Sequence, residues 1–449
     1  MKKYGFGLIF LSILALIACV VITTAFEPLD TLMKPPKIEG ENLEIQLAFE
    51  ENVGENYLMK QPISGSYRSA YSFVDISGDG ENEVVVFYSM GNDLGIVRMN
   101  IIDKIDGKWK SVADFVSVYN DIQEIAFSDL NGDGRKEIIV GWITLPNSNS
   151  KLLSVYEIKV DNDAYIEAIY SGNYSMFKVA DIDSDGNHDI LSLNQTYVVN
   201  THGYSAFLLK YNNGALSKSE DFHIDKSFSS LAAINFDNNS QSDVKWIYID
   251  GYNSEGTLST DCIRWNEGNK SFERCLINGV SVSVLSSRGS NVLCKDVNSD
   301  GTIEIPTEKH LTCFIRSDDN PRSMNFINWV NIGEDNLNYV TQYLMFTQYG
   351  FSYNLIEDLS EKLCVENNTD EGVITFYSVI SEDDVFIRDK KLFSIAVKSE
   401  LDLESISELS FQYTEVSYMK GRFYFCRLYD AAKELGITNK DVKNRIIAG

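Results

Sequence analysis

Asp181-Ile182-Asp183-Ser184-Asp185-Gly186-Asn187-His188-Asp189 decides how this chain is read, because four other segments repeat its pattern. They are Asp75–Glu83, Asp129–Glu137, Asn235–Asp243 and Asp296–Glu304, and successive copies start 54, 52, 54 and 61 residues apart. Oxygen-bearing side chains at positions 1, 3, 5 and 9, with a turn residue at 6, suit a hard cation that takes about six to eight oxygens, calcium rather than zinc. The candidate side-chain ligands are Asp75, Ser77, Asp79 and Glu83; Asp129, Asn131, Asp133 and Glu137; Asp181, Asp183, Asp185 and Asp189; Asn235, Asp237, Asn239 and Asp243; and Asp296, Asn298, Asp300 and Glu304. Position 7 needs only its backbone carbonyl, so its identity is free: Glu81, Arg135, Asn187, Gln241 and Thr302. An EF-hand would place a bidentate Glu at position 12 and continue as a helix. Position 12 is Val86, Val140, Ser192, Trp246 or Thr307, which excludes it. Acidic β-turns are the other reading of any single copy, since Asp, Asn and Gly favour turns anyway. Five copies in step go beyond turn propensity.

β-type runs follow the ninth position: Val84-Val-Val-Phe-Tyr88, Ile138-Ile-Val-Gly-Trp142, Ile190-Leu-Ser-Leu193 and Val244-Lys-Trp-Ile-Tyr248. Hairpin turns recur in register at Asp106-Gly107, Asn162-Asp163, Asn213-Gly214 and Gly268-Asn269. Each unit is therefore strand, acidic loop, strand, strand, turn, strand, the pattern of a β-propeller blade. These segments resemble FG-GAP/VCBS repeats, the calcium-loop blades of integrin-α-like propellers, and the chain resembles VCBS-repeat lipoproteins of Gram-positive bacteria. The resemblance implies a calcium ion in each blade, up to four or five in all. The fourth copy departs from the pattern at Asn235, Asn239 and Ser240. Formal charge over positions 1, 3, 5 and 9 is −3, −3, −4, −2 and −3 along the chain, which ranks the Asp181 loop as the strongest binder and the Asn235 loop as the weakest.

At 449 residues the chain exceeds a single core, and its 44% hydrophobic content is that of a globular protein. Positions 1, 3, 5 and 9 of the loops supply −15 of the net charge of −26, so the acidity is largely ligand chemistry. Nucleic acid is excluded as a partner, because like charges repel and no basic stripe is present. Lys2-Lys3, an apolar run and Leu16-Ile-Ala-Cys19 read as an export signal with a lipobox, which would make Cys19 a lipidated residue. The alternative is an uncleaved signal anchor, because Tyr4 to Phe26 is long enough to span a bilayer. Both place the remaining chain outside the cytoplasmic membrane, held to the lipid bilayer through its N-terminal anchor. Six further cysteines allow three disulfides, with Cys262 and Cys275 flanking one hairpin turn, or act as buried free thiols.

The expected organisation is a signal peptide over 1–18, a tether and entry segment over 19–56, a mainly β propeller over 57–350 and a small α+β domain over 351–449. Leu43 to Val53 is the one helical candidate in the entry segment. Tyr57 to Ile63 is expected to close the ring by joining a last blade built from about Met324 to Gly350. That gives six blades, with five and seven as alternatives. In the C-terminal domain, strands are expected at 351–356, 373–377, 392–397 and 423–429, then helices from Asp430 and from the cap Thr438 with Asp441. Among the four histidines, His188 lies inside a loop facing solvent, and no Gly-x-Ser-x-Gly, His-Glu-x-x-His or phosphate loop occurs. Tyr71, Trp142, Tyr156 and Tyr248 fall on strands and suit either core or surface. The sequence therefore points to a non-catalytic binding module with a protein or carbohydrate ligand of the cell surface. An extracellular carbohydrate-active enzyme with carboxylates in the propeller funnel is the alternative.

Overall fold

The computed structural model describes residues 40–145, 151–160, 164–198, 201–212, 214–238, 245–310, 313–316, 325–355, 363–382, 385–402, 406–407, 409 and 411–448. The expected signal sequence and Cys19, the Asn162-Asp163 turn, and Asn239, Gln241 and Asp243 lie outside the described residues. The chain is mainly β and builds a series of antiparallel sheets. It divides into two compact units, Met1–Ile125 with Thr144–Pro146 and Glu157–Glu167, and Ala126–Ile143 with Asn147–Tyr156 and Ala168–Gly449.

In the first unit, Tyr71–Val74, Glu83–Met90, Asp93–Ile105 and Lys108–Val116 form one sheet, with the first acidic loop between its first two strands. Val84 to Tyr88 is apolar without alternation because both faces of that strand are buried. Asp106 and Gly107, with φ of 53° and 73°, make the tight turn expected of a left-handed pair. The helix Glu41–Val53 turns Ile45, Ala48 and Phe49 onto this sheet and ends at Gly54. Phe49 meets Tyr57 and Tyr88 edge-on at 4.9 and 5.0 Å. Its burial contributes on the order of 2 kcal/mol.

Tyr57–Met59 overturns the expected ring closure. It pairs with Glu83–Met90 of the first sheet, Tyr57 opposite Met90 and Met59 opposite Tyr88. The reason is local: Tyr71–Val74 covers only Glu83 to Val86, and Tyr57–Met59 fills the rest of that edge, which would otherwise be left unpaired.

Asp121–Ser128, Glu137–Ile143, Lys151–Val160 and Ala164–Tyr174 form the second four-stranded sheet. Within the second unit, Met176–Ala180, Asp189–Val198, Thr201–Asn212 and Ala215–Lys218 make the third, with Phe222–His223 added to the edge of Thr201–Asn212. Ser230–Phe236, Ile247–Tyr252, Leu258–Asn266 and Ser271–Arg274 make the fourth. The hairpin Leu276–Ile277/Val280–Ser281 and the single turn Val282–Leu285 then intervene, which accounts for the longer 61-residue interval. The fifth loop leads into Ile305–His310, Asn325–Ile332, Leu337–Phe346 and Phe351–Asn354, and Ile446–Ala448 adds to that edge. The residues expected to form a sixth unit, from about Met324 to Gly350, thus complete the fifth sheet. Its inner strand is reduced to one bridge, Lys295 opposite Glu304, beside Pro306, which has no N–H to donate to a ladder.

The C-terminal sheet runs Cys313–Arg316, Leu363–Asn368, Val373–Glu382, Val385–Ser399, Arg422–Leu428, Thr414–Met419, its first pair parallel and the rest antiparallel. Phe376 stacks on Phe393 at 4.4 Å in the core under it. The helix Asn439–Arg445 starts with the expected capping box: Asp441 N–H donates to Thr438 Oγ1 at 3.3 Å, and Thr438 N–H to Asp441 Oδ2 at 2.8 Å. Trp142, Tyr156 and Tyr248 belong to the core, and Trp142 Nε1 donates to the Tyr156 hydroxyl at 3.0 Å. Cys262 and Cys275 do neighbour each other across their hairpin, but both are buried free thiols, as are Cys294 and Cys426. Burial pushes the Cys275 thiol up to about 11 and Cys426 to about 12. Cys364 is disulfide-bonded, and the strand register sets Cys313 opposite it.

Among the described residues, the Arg288 and Asp250 ion pair is fully enclosed. Arg288 donates to Asp250 Oδ1 at 2.8 Å, Thr260 Oγ1 at 3.0 Å, and the carbonyls of Ser286 and Val292 at 2.9 and 2.7 Å. Asp250 Oδ2 accepts from the Cys294 N–H at 2.9 Å. Arg288→Met leaves the Asp250 charge buried without its partner, and urea denaturation should show a loss of about 3–5 kcal/mol.

Candidate metal centres

Four of the acidic loops share a backbone contact. The ninth carboxylate turns back and accepts from the N–H of position 2: Glu83 from Ile76 at 2.6 Å, Glu137 from Leu130 at 2.7 Å, Asp189 from Ile182 at 3.2 Å and Glu304 from Val297 at 2.9 Å. In the first, second and fifth loops the first carboxylate accepts from the N–H groups of positions 4 and 6, through Asp75, Asp129 and Asp296. The fifth position accepts from position 7, with Asp79, Asp133, Asp185 and Asp300 reached by Glu81, Arg135, Asn187 and Thr302. Presenting so many N–H groups inward requires left-handed backbone at positions 4 and 6. Gly78, Gly132, Ser184 and Ser299 have φ of 63–76°, and Gly80, Gly134, Gly186 and Gly301 have φ of 84–92°.

The ninth carboxylates are 0–3% exposed, and their environment disfavours a bare charge. Burial pushes Asp189 up to about 7, with Asp185 and Asp181 adding repulsion. Burial does the same to Glu304, also to about 7, reinforced by Asp300 and Asp296. Glu304 Oε1 and Asp181 Oδ1 are buried oxygens with no hydrogen-bond partner. Oxygens of Asp75, Asp79 and Glu83 lie within 4.8 Å of one another, as do those of Asp181, Asp183 and Asp189. Converging hard oxygens of this kind fit a calcium ion, which would supply the missing positive charge when bound.

Position 3 differs among the loops. Ser77 Oγ donates to Glu83 at 2.8 Å, Asn131 Nδ2 to Glu137 at 3.0 Å and to Asp133 at 3.3 Å, and Asn298 Nδ2 to Asp300 at 2.9 Å. Asp183 has no hydrogen to give, and the third loop instead carries lysines. Lys210 Nζ pairs with Asp183 and lies 3.2 Å from Asp185; Lys245 Nζ is 3.3 Å from Asp181 Oδ2 and donates to the Asp181 carbonyl at 2.8 Å. Neither lysine was legible in the nonapeptide pattern, because they come from the third sheet's Thr201–Asn212 and from just before the fourth sheet's Ile247–Tyr252.

The fourth loop has another role at its described residues. Asp237 Oδ1 accepts from the Ile303 N–H at 2.9 Å, its Oδ2 takes Tyr248 and Trp246, and Asn238 N–H reaches the Gly301 carbonyl at 2.7 Å. Asn235 Nδ2 donates to the Cys294 carbonyl at 3.0 Å. These residues brace the fifth loop. His188 is exposed, as expected, and its Nδ1 is 2.7 Å from Ser128 Oγ.

No protein-family model matches the chain, and no curated protein matches it. Among solved structures, a GH43 β-1,3-galactosidase aligns over 90% of this chain and 83% of that one, at 10% identity and a TM-score of 0.26. At that level the likeness carries no argument about fold or activity.

The raised Asp189 and Glu304 carboxyls give a pH dependence of definite sign. Their folded values lie above their unfolded ones, so the folded state holds protons that the unfolded state has released, and stability falls as pH rises from about 4 to 7. In chelator, Glu304→Gln should flatten part of this decline in melting temperature. Calcium addition near pH 7 should release protons, read by titration calorimetry in buffers of different ionisation enthalpy.

Proposed function

We propose that this chain is a calcium-stabilised β-propeller, lipidated at Cys19 and held at the outer face of the cytoplasmic membrane, which serves as a binding module for a protein or glycan at the cell envelope. The observation that carries this reading is the recurring cradle, in which a buried ninth carboxylate, fixed by the position 2 N–H, faces further oxygens across a tight turn. On this reading the five loop-bearing sheets are blades, and an ion in each functional loop clamps the two strands that the loop joins. The ligand then binds on propeller surfaces away from the clamps. Among the described residues no helix is long and apolar enough to cross a membrane.

A carbohydrate-active enzyme would need carboxylates outside the loops to converge in one cavity. A cavity of about 470 Å³ contains Asp181, Asp237, His188 and Lys245, and a neighbouring one of about 250 Å³ contains Asp183, Lys245, Arg264, Trp265 and Glu267. Of these carboxylates only Glu267 lies outside the loops.

Differential scanning calorimetry in calcium and in chelator tests the metal. At a concentration 100 times Kd each independent site should add about 2.7 kcal/mol, and an unchanged melting temperature would refute the reading. A pull-down from envelope extracts with and without calcium should recover a ligand only when the ion is present.

A further inference from the structure

The loop with the most carboxylates is also the one that meets a lysine. In four sheets the residue at position 10 has a known partner on the next strand: Val84 pairs with Ile102, Ile138 with Tyr156, Ile190 with Leu209 and Ile305 with Val330. The residue after each partner therefore occupies one equivalent register position. These residues are Asp103, Glu157, Lys210 and Asn331. Only the third is basic, and among these four loops only the third has Asp at position 3, where the others have Ser77, Asn131 and Asn298.

The geometry matches this pairing of sequence differences. The Asp183 side chain is 1% exposed and that of Lys210 is 18% exposed, and the ammonium reaches both Asp183 and Asp185. Lys245 adds a second ammonium at Asp181. By contrast, among the described residues no lysine or arginine forms an ion pair with Asp75, Asp79 or Glu83. A buried carboxylate cluster without a counter-charge is costly. In the first, second and fifth loops a position 3 donor offsets part of that cost and leaves room for a divalent ion. In the third loop Lys210 is already a full positive charge.

We propose that the Lys210 ammonium is the resident cation of the third loop, so that this loop holds its strands together without calcium while the first, second and fifth depend on the ion. This rests on the calcium reading for those loops. It reverses the ranking by formal charge: the four-carboxylate loop becomes the least calcium-dependent of the intact copies.

Calcium titration calorimetry and melting in chelator, on the full-length protein and Lys210→Met, test it. Lys210→Met should melt about 2–4 °C lower in chelator, should bind one calcium more than wild type, and should regain the wild-type melting temperature when calcium is added. The double variant Asp183→Asn/Lys210→Met gives the third loop the Asp129 pattern. It should melt like wild type in chelator, because the amide introduced at position 183 then donates as Asn131 does, and should also gain the extra ion, which guards against simple misfolding of the single variant. An unchanged calcium stoichiometry in both variants overturns the assignment, as does an undiminished melting temperature of Lys210→Met in chelator. Failure of the calcium reading itself is separately visible, as a wild-type protein that neither binds calcium nor changes when Asp75 is replaced by Asn.

Discussion

A carboxylate forced out of water at the ninth position of four of the loops is the constraint around which the described structure is arranged. Glu83, Glu137 and Asp189 each begin a strand whose next residues are apolar and buried, and Glu304 directly precedes Ile305–His310, so these carboxylates enter the protein with the strand. One oxygen is satisfied by a backbone N–H across the turn. The other faces the first, third and fifth side chains, where more negative charge waits. Backbone dipoles, a polar hydrogen, a lysine or a divalent cation can each relieve this, and the loops use different combinations.

The same loops connect consecutive sheets in the second unit. His188 reaches Ser128, Lys245 reaches Asp181, and Asp237 holds the Ile303 N–H. A perturbation in one loop is thus felt by the next through hydrogen bonds at 2.7 to 3.3 Å. The fourth loop, which lost acidic residues at positions 1 and 5, keeps Asp237 for this bracing role. Its departure from the pattern is a change of task, since Asp237 spends its lone pairs on Ile303, Trp246 and Tyr248.

Edges and interior charges shape the rest. Tyr57–Met59 fills the open half of an edge in the first sheet, and Ile446–Ala448 covers Phe351–Asn354 in the fifth, both shielding unpaired backbone. The Arg288 and Asp250 pair ties the fourth sheet's Ile247–Tyr252 to the segment before the fifth loop. The guanidinium donates to Asp250, Thr260 and the carbonyls of Ser286 and Val292, and these bonds offset the cost of burying its charge.

Local chemistry made much of this legible in the sequence. The five nonapeptides, the strands after them, the Asp106-Gly107 turn, the entry helix and the Thr438 cap depend on residues close together in the chain, where turn propensity, strand patterning and capping act directly. The position 9 carboxylates were identifiable for the same reason. Contacts made by residues far apart in sequence were decided only by the tertiary structure. Tyr57–Met59 joined the first sheet because a short strand left an edge open, and Asn325 to Phe346 completed the fifth sheet rather than beginning a sixth. Lys210 and Lys245 lie 29 and 64 residues beyond Asp181, and no spacing within the loop reveals them. Formal charge could be counted along the chain, but the counter-charge that decides how a loop is neutralised arrives from neighbouring strands, and strand register places it there.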